Sequence, residues 1–179
     1  MKLSALALAI SFCRPTLPAG TATEWARIVA DGAARSEVDP LLVVALVDHE
    51  SRWTPGATNP KSGALGLGQI LPQFRPACAS PKSPACAEEK KKLLGAAYNL
   101  RAVFTAIDAW KVECRARTGT AQEDQWLRMY AGQGTKFCGR VRPKGTAAWA
   151  PLPIPSVVRA YLARRRSLRL RLESLPPGP

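Results

Sequence analysis

Between Asp39 and Pro72 the chain reads DPLLVVALVDHESRWTPGATNPKSGALGLGQILP. Glu50 closes the apolar part of this stretch, a glycine-rich turn carrying Gln69 follows, and no Asp or Glu occurs between Glu50 and Glu88. Burial among apolar neighbours disfavours an ionised carboxyl, and the negative end of a helix opposes a further negative charge. Both effects raise the expected pKa of Glu50 and keep it protonated, able to donate to a glycosidic oxygen. Most glycosidases use two carboxylates. A solitary acid in such a setting points to sugar chemistry run by one carboxylate, with Asp108 and Glu113 as distant alternatives for a second. The plainer reading of Glu50 is a helix-end residue paired with Arg52 or another cation.

These residues need helices to hold them. Apolar positions recur at helical spacing almost throughout, and little of the chain alternates as a strand does. Trp25, Ile28, Val29 and Ala33 mark a first helix over Glu24–Val38. Asp39-Pro40 reads as an N-cap followed by a first-turn proline. Leu41–Val47 is apolar on nearly every side, as in a helix buried mid-domain. Residues 54–87 predict ordered loop with one short helix near Gly68–Phe74. Glu88–Arg115 predicts one long amphipathic helix with Leu94, Tyr98, Val103, Ile107 and Trp110 in its stripe. A further helix is expected over Ala121–Tyr130, ending at Gly132. Ala147–Pro155 reads as a polyproline linker, and Ser156–Leu172 as a last helix bearing six arginines.

With 179 residues the chain is long enough for one domain with a proper core. Its net charge of +13 favours a polyanionic partner. Lys2 and the apolar run Leu3–Phe12 have the form of a leader, giving residues 1–22 as a signal peptide cut between Ala19 and Thr23, and an exported protein. The run is too short to span a bilayer. Without Cys13, four cysteines remain: Cys78, Cys86, Cys114 and Cys138. An even number in an exported chain argues for disulfides. Of three pairings, Cys78 with Cys86 would staple a Pro-rich loop, and Cys114 with Cys138 would tie a helix to a later loop. The spacings lack a CxxC, which argues against zinc. Gly63–Gly68 lacks the Lys-Ser/Thr ending of a phosphate-binding loop. His49 is the single histidine, adjacent to Glu50, and successive helical residues point about 100° apart. It reads as a packing or surface residue. Of the tryptophans Trp25, Trp53, Trp110, Trp126 and Trp149, Trp53 is the groove candidate because it lies beside Glu50.

Asp39, Pro40, Ala45, Glu50 and Ser51, then Gly63, Ala64, Gly66, Leu67, Gln69, Ile70 and Pro72, stand in a pattern that resembles the soluble lytic transglycosylase family. Gly95-Ala96-Ala97-Tyr98 resembles that family's helix after the loop. Met129-Tyr130-Ala131-Gly132-Gln133-Gly134 is similar to its Ala-Tyr-Asn-Ala-Gly-x-Gly motif. The resemblance implies an all-α, lysozyme-like (goose-type) domain over residues 23–146, with residues 147–179 as a proline linker and basic helical extension. It implies cleavage of the MurNAc–GlcNAc β-1,4 bond of peptidoglycan with a 1,6-anhydro product. Glu50 would be acid and then base, Ser51 would orient it or contact the sugar, Gln69 would bind substrate, and Tyr130 would sit against the carboxyl. No metal or organic cofactor is implied. Gly68 departs from the large residue usual before the Gln, which removes a groove wall. Ala131, or a deletion, departs from the usual Asn, which removes an amide contact. A lysozyme-type hydrolase on the same fold and a non-catalytic cationic wall-binding module are the rival readings. The arginine-rich end fits a solvated helix, or adhesion to anionic wall polymers or a lipid surface. Nucleic acid is not expected, because export separates the chain from it. By analogy, service to a secretion machine or a phage particle is a further expectation.

Overall fold

The computed structural model describes residues 1–133, 138–144, 146–147 and 150–176. Gly134 of the third motif and Trp149 lie outside the described residues. The described chain is all-α: α1 (Leu3–Cys13), α2 (Ala19–Arg35), α3 (Pro40–Ser51), α4 (Pro84–Leu94), α5 (Ala96–Thr118), α6 (Glu123–Tyr130) and α7 (Ser156–Glu173), with two-residue strands β1 (Arg140–Val141) and β2 (Ala150–Pro151). Two compact units emerge. The first comprises Met1–Phe104 with the segment from Arg164 onward, and the second is Thr105–Ala163.

In the first unit α3 is the central element. Asp39 caps it by accepting the Leu41 N–H at 2.9 Å, and Pro40 occupies the first turn. Leu41 to Val47 are all buried, which at about 1.5–3 kcal/mol per large apolar side chain makes this helix the anchor of the unit. The helices α1 and α2 pack on each other and on α3. Leu6, Ala9 and Ile10 of α1 are buried. The second helix begins at Ala19, earlier than its apolar pattern predicts, and runs unbroken through the segment where leader cleavage is expected. Gly32 lets Phe104 approach: a Cβ there would lie 2.2 Å from the ring.

The single long helix expected over residues 88–115 is broken. Gly95 adopts an extended conformation (φ −78°, ψ 125°) between α4 and α5. The phase of the apolar stripe shifts there, so Leu94 is exposed while Val103 and Ile107 are buried. Between α3 and α4 the loop contains 3-10 turns at Pro72–Phe74 and Pro76–Cys78, a smaller helical element than expected. Cys78 and Cys86 form a disulfide across this segment.

Arg75 and Tyr98 hold Glu89 beside that disulfide. Arg75 Nε lies 2.8 Å from Glu89 Oε1, and the Tyr98 hydroxyl donates to Glu89 Oε2 at 2.8 Å. Burial pushes the Glu89 carboxyl up, but hydrogen bonds from Arg75 and Tyr98 and the charges of Arg75 and Lys92 outweigh it, leaving the pKa lowered. A depressed folded pKa contributes stability that is complete above the unfolded value and lost as pH falls through the folded one. Glu89→Gln is therefore expected to lower the thermal midpoint at pH 7, and the gap from wild type should close in acid. Melting curves across pH 7 to 3 check this.

The arginine-rich end is not a free extension. Arg164 Nε meets Asp48 Oδ2 at 2.6 Å, Arg169 Nη2 meets Asp39 Oδ2 at 2.7 Å, and Arg165 Nη1 is 3.7 Å from the same oxygen. Arg171 lies over the Phe12 ring, 3.9 Å from its centroid. Leu168 is buried. These pairs grip both ends of α3, so much of the charge expected to face solvent or a wall polymer is committed within the unit.

In the second unit Gln125, fully buried, completes a capping box. Its Oε1 accepts the Gln122 N–H at 2.7 Å and its Nε2 donates to Thr118 Oγ1 at 2.8 Å. Arg140 forks onto Asp124 at 2.9 and 3.0 Å. Cys114 and Cys138 form the second disulfide. The segment expected as a linker instead contributes β2, paired antiparallel with β1, and Leu152 donates its N–H to Gly139 O at 2.8 Å.

Candidate active site

Glu50 is the penultimate residue of α3, and an abrupt reversal follows it. Arg52 and Trp53 are both left-handed, at φ 52° and 55°. Each such non-glycine residue costs about 1–2 kcal/mol. The Arg52 N–H closes the helix on Asp48 O at 2.9 Å, and the Thr54 N–H donates to Ser51 O at 3.0 Å. What offsets the strain is Trp53. Its side chain is 0 % exposed and stacks on Trp25 with ring centroids 5.8 Å apart. Trp53 is thus a core residue with no face left for a sugar, and its expected groove role is corrected. Sequence adjacency misled because the double left-handed turn drives this side chain inward.

The glycine-rich segment closes into a small, fully bonded turn. Leu65 and Ile70 exchange N–H···O bonds at 3.0 and 2.9 Å, bracketing Gly66–Gln69. Leu67 is buried in the core. Gly66 is required on two counts: its φ is +73°, and a Cβ would lie 2.1 Å from Asn99 Nδ2 and 2.3 Å from Leu93 O. Gln69 is left-handed at φ 50°. Its Nε2 donates to Gly66 O at 2.9 Å and to Ala57 O at 3.4 Å, so the amide locks the turn while its oxygen remains an acceptor. Gly68, which was expected to leave a gap in the groove wall, is itself buried.

Asn99 holds this turn from α5. It is 0 % exposed. Its Oδ1 accepts the Gly68 N–H at 2.7 Å, while its Nδ2 donates to Leu65 O at 2.9 Å and Leu93 O at 2.7 Å. Gly68 N–H and Leu93 O thereby gain a side-chain partner, and Leu65 O, already bonded to the Ile70 N–H, gains a second. The sequence reading missed this residue. The signal was present: Asn99, Ala102, Val103 and Ile107 share one helical face, and an amide on an apolar face needs partners.

Glu50, Ser51 and Gln69 line one groove of about 580 Å³, together with Thr54, Asn59 and Lys61. Ser51 Oγ donates back to Val47 O at 3.3 Å. Asn59 Oδ1 accepts the N–H groups of Lys61 and Ser62 at 3.0 and 3.2 Å, shaping the far wall as an Asx turn. His49 is exposed on the same groove. Among the described residues of the lining, Glu50 is the one acidic side chain. Tyr130 is half-buried at the end of α6 in the second unit, before Gly132 at φ +65°. Asp108 is exposed there, and Glu113 pairs with Arg117.

The family model described as Transglycosylase SLT domain matches residues 27–105, the stretch that contains α3, the Gly66–Gln69 turn and Asn99. No curated protein and no solved structure matches the chain.

Proposed function

From a chain that carries a domain of the soluble lytic transglycosylase family, with its lysozyme-like fold, we propose a peptidoglycan-cleaving enzyme in which Glu50 does the proton chemistry. The observation that carries this reading is the groove itself, where Glu50 is the one acidic side chain among the described lining residues and Gln69, held in a locked turn, lines the same groove. Glu50 as the acid gives its proton to the glycosidic oxygen between MurNAc and GlcNAc, and the C1–O bond breaks toward an oxocarbenium-like muramoyl centre. Glu50 as the carboxylate then takes the proton of the muramoyl C6 hydroxyl as O6 bonds to C1. The acid is regenerated, water is not consumed, and the product carries a 1,6-anhydro ring.

The fate of the neighbouring carboxylates supports this over hydrolysis. Asp48 and Asp39 are paired with arginines of α7, and Glu89 is buried against Arg75. None of them lines the groove as an activator of water. Ser51 and the Gln69 oxygen are proposed as sugar contacts. A peptidoglycan substrate would put its work at the cell envelope, and two disulfides agree with an oxidising compartment. Digestion of purified sacculi followed by mass analysis is the test. Anhydro ends, one water lighter than reducing ends, are expected; reducing ends would establish a hydrolase, and intact sacculi a binding module.

A further inference from the structure

By composition Leu3–Phe12 is a leader, yet the fold uses this segment as structure. Leu6, Ala9 and Ile10 are at most 1 % exposed against α2 and α3. Ala22, the small residue at the expected cut, is 1 % exposed within α2. Loss of residues 1–22 would strip the first turn of α2 and bare the apolar faces that α1 covers.

The end of α1 does more than cover. Phe12 receives Arg171, and Cys13 Sγ accepts from Arg164 Nη2 at 3.6 Å, the same guanidinium that holds Asp48. Burial, followed by the charge of Asp48, pushes the Cys13 thiol up to about 12, so it stays a thiol and takes no part as a nucleophile. Arg14 Nη1 donates to Trp53 O at 3.1 Å and to Thr54 Oγ1 at 2.8 Å. Thr54 lines the groove and Arg14 does not. The two bonds therefore pin the strained turn that leads out of Glu50 and set the position of one groove wall.

We propose that Leu3–Arg14 is retained in the working protein and that Arg14 is a positioning residue for the groove, acting through Thr54. The second half of this proposal rests on the glycan-cleaving reading of that groove; the first half does not. Two measurements on the full chain test it. The chain, produced with its own N-terminus in a bacterial host that has a periplasm, is recovered from every cell fraction and weighed intact. A mass that retains residues 3–22 is expected, in whichever fraction the protein is found. A species beginning between residues 20 and 23 would overturn retention.

For the positioning role, Arg14→Leu is expected to raise KM for sacculi by about tenfold, with kcat within about twofold of wild type. Arg14→Lys, which keeps one donor within reach of Thr54, should recover part of the loss. An unchanged KM, or a fall in kcat that tracks a lowered thermal midpoint, overturns the role. If the wild-type chain leaves sacculi intact, the glycan reading fails, while the mass measurement still decides retention.

Discussion

Glu50→Gln is expected to lower the rate of sacculus lysis by about a thousandfold, the scale on which a positioned acid and base contributes to a proton-transfer step. In the proposed mechanism one group serves both steps, so its loss would remove proton donation to the leaving oxygen and proton removal from the C6 hydroxyl together. The amide keeps the size of the side chain and its place at the end of α3, so binding to peptidoglycan and the thermal midpoint should be nearly unchanged. Lysis assayed by turbidity, binding by co-sedimentation and melting by calorimetry separate the three effects. Loss of lysis with binding kept excludes a pure binding module. Full activity in the Gln variant would remove Glu50 from the chemistry altogether.

The second large effect belongs to Asn99, a residue that lies behind the groove wall. Asn99→Ala removes the side-chain bonds to Gly68 N–H, Leu65 O and Leu93 O, of which Leu65 O still accepts the Ile70 N–H. Each buried bond lost in this way costs about 1–3 kcal/mol, so a destabilisation of roughly 2–4 kcal/mol is expected after partial relaxation. Activity should fall further than stability alone explains, because the turn that carries Gln69 loses its hold on α5. Asn99→Asp sharpens the test. A carboxylate can still accept the Gly68 N–H, but it presents an acceptor to two carbonyls where Nδ2 donated. Asp is therefore expected to be no better than Ala above neutral pH and to improve in acid, where protonation supplies one donor. Urea unfolding beside lysis rates measures both. Equal stability of Asn99→Ala and wild type would show that the turn is held by Gly66 and Leu67 without it.

The parts of this protein that could be read along the chain are those set by local rules. Asp39-Pro40 announces the start of α3, and the continuous apolar run after it announces burial on all sides; both are local features and both hold. Glu50 and Gln69 could be brought to one groove on paper because the glycine turn between them is short. What could not be read depends on groups distant along the chain. Trp53 turns inward because of two left-handed residues that no glycine announces, and its partner Trp25 comes from another helix. Gly95 falls inside the one long helix expected over Glu88–Arg115, although an extended residue there is what separates α4 from α5. The arginines of α7 looked solvated because Asp39 and Asp48, their counter-charges, are more than 100 residues away. Cys114 and Cys138 pair as one of the readings allowed, but only the fold selects that reading.

The grip of α7 on both ends of α3 carries a consequence for how the protein is made. During synthesis the helix bearing Glu50 emerges more than 100 residues ahead of Arg164 and Arg169. A nascent or prematurely stopped chain therefore holds the acid without its clamp. Fragments that stop short of Arg164 are expected to lose the stability these ion pairs lend to α3.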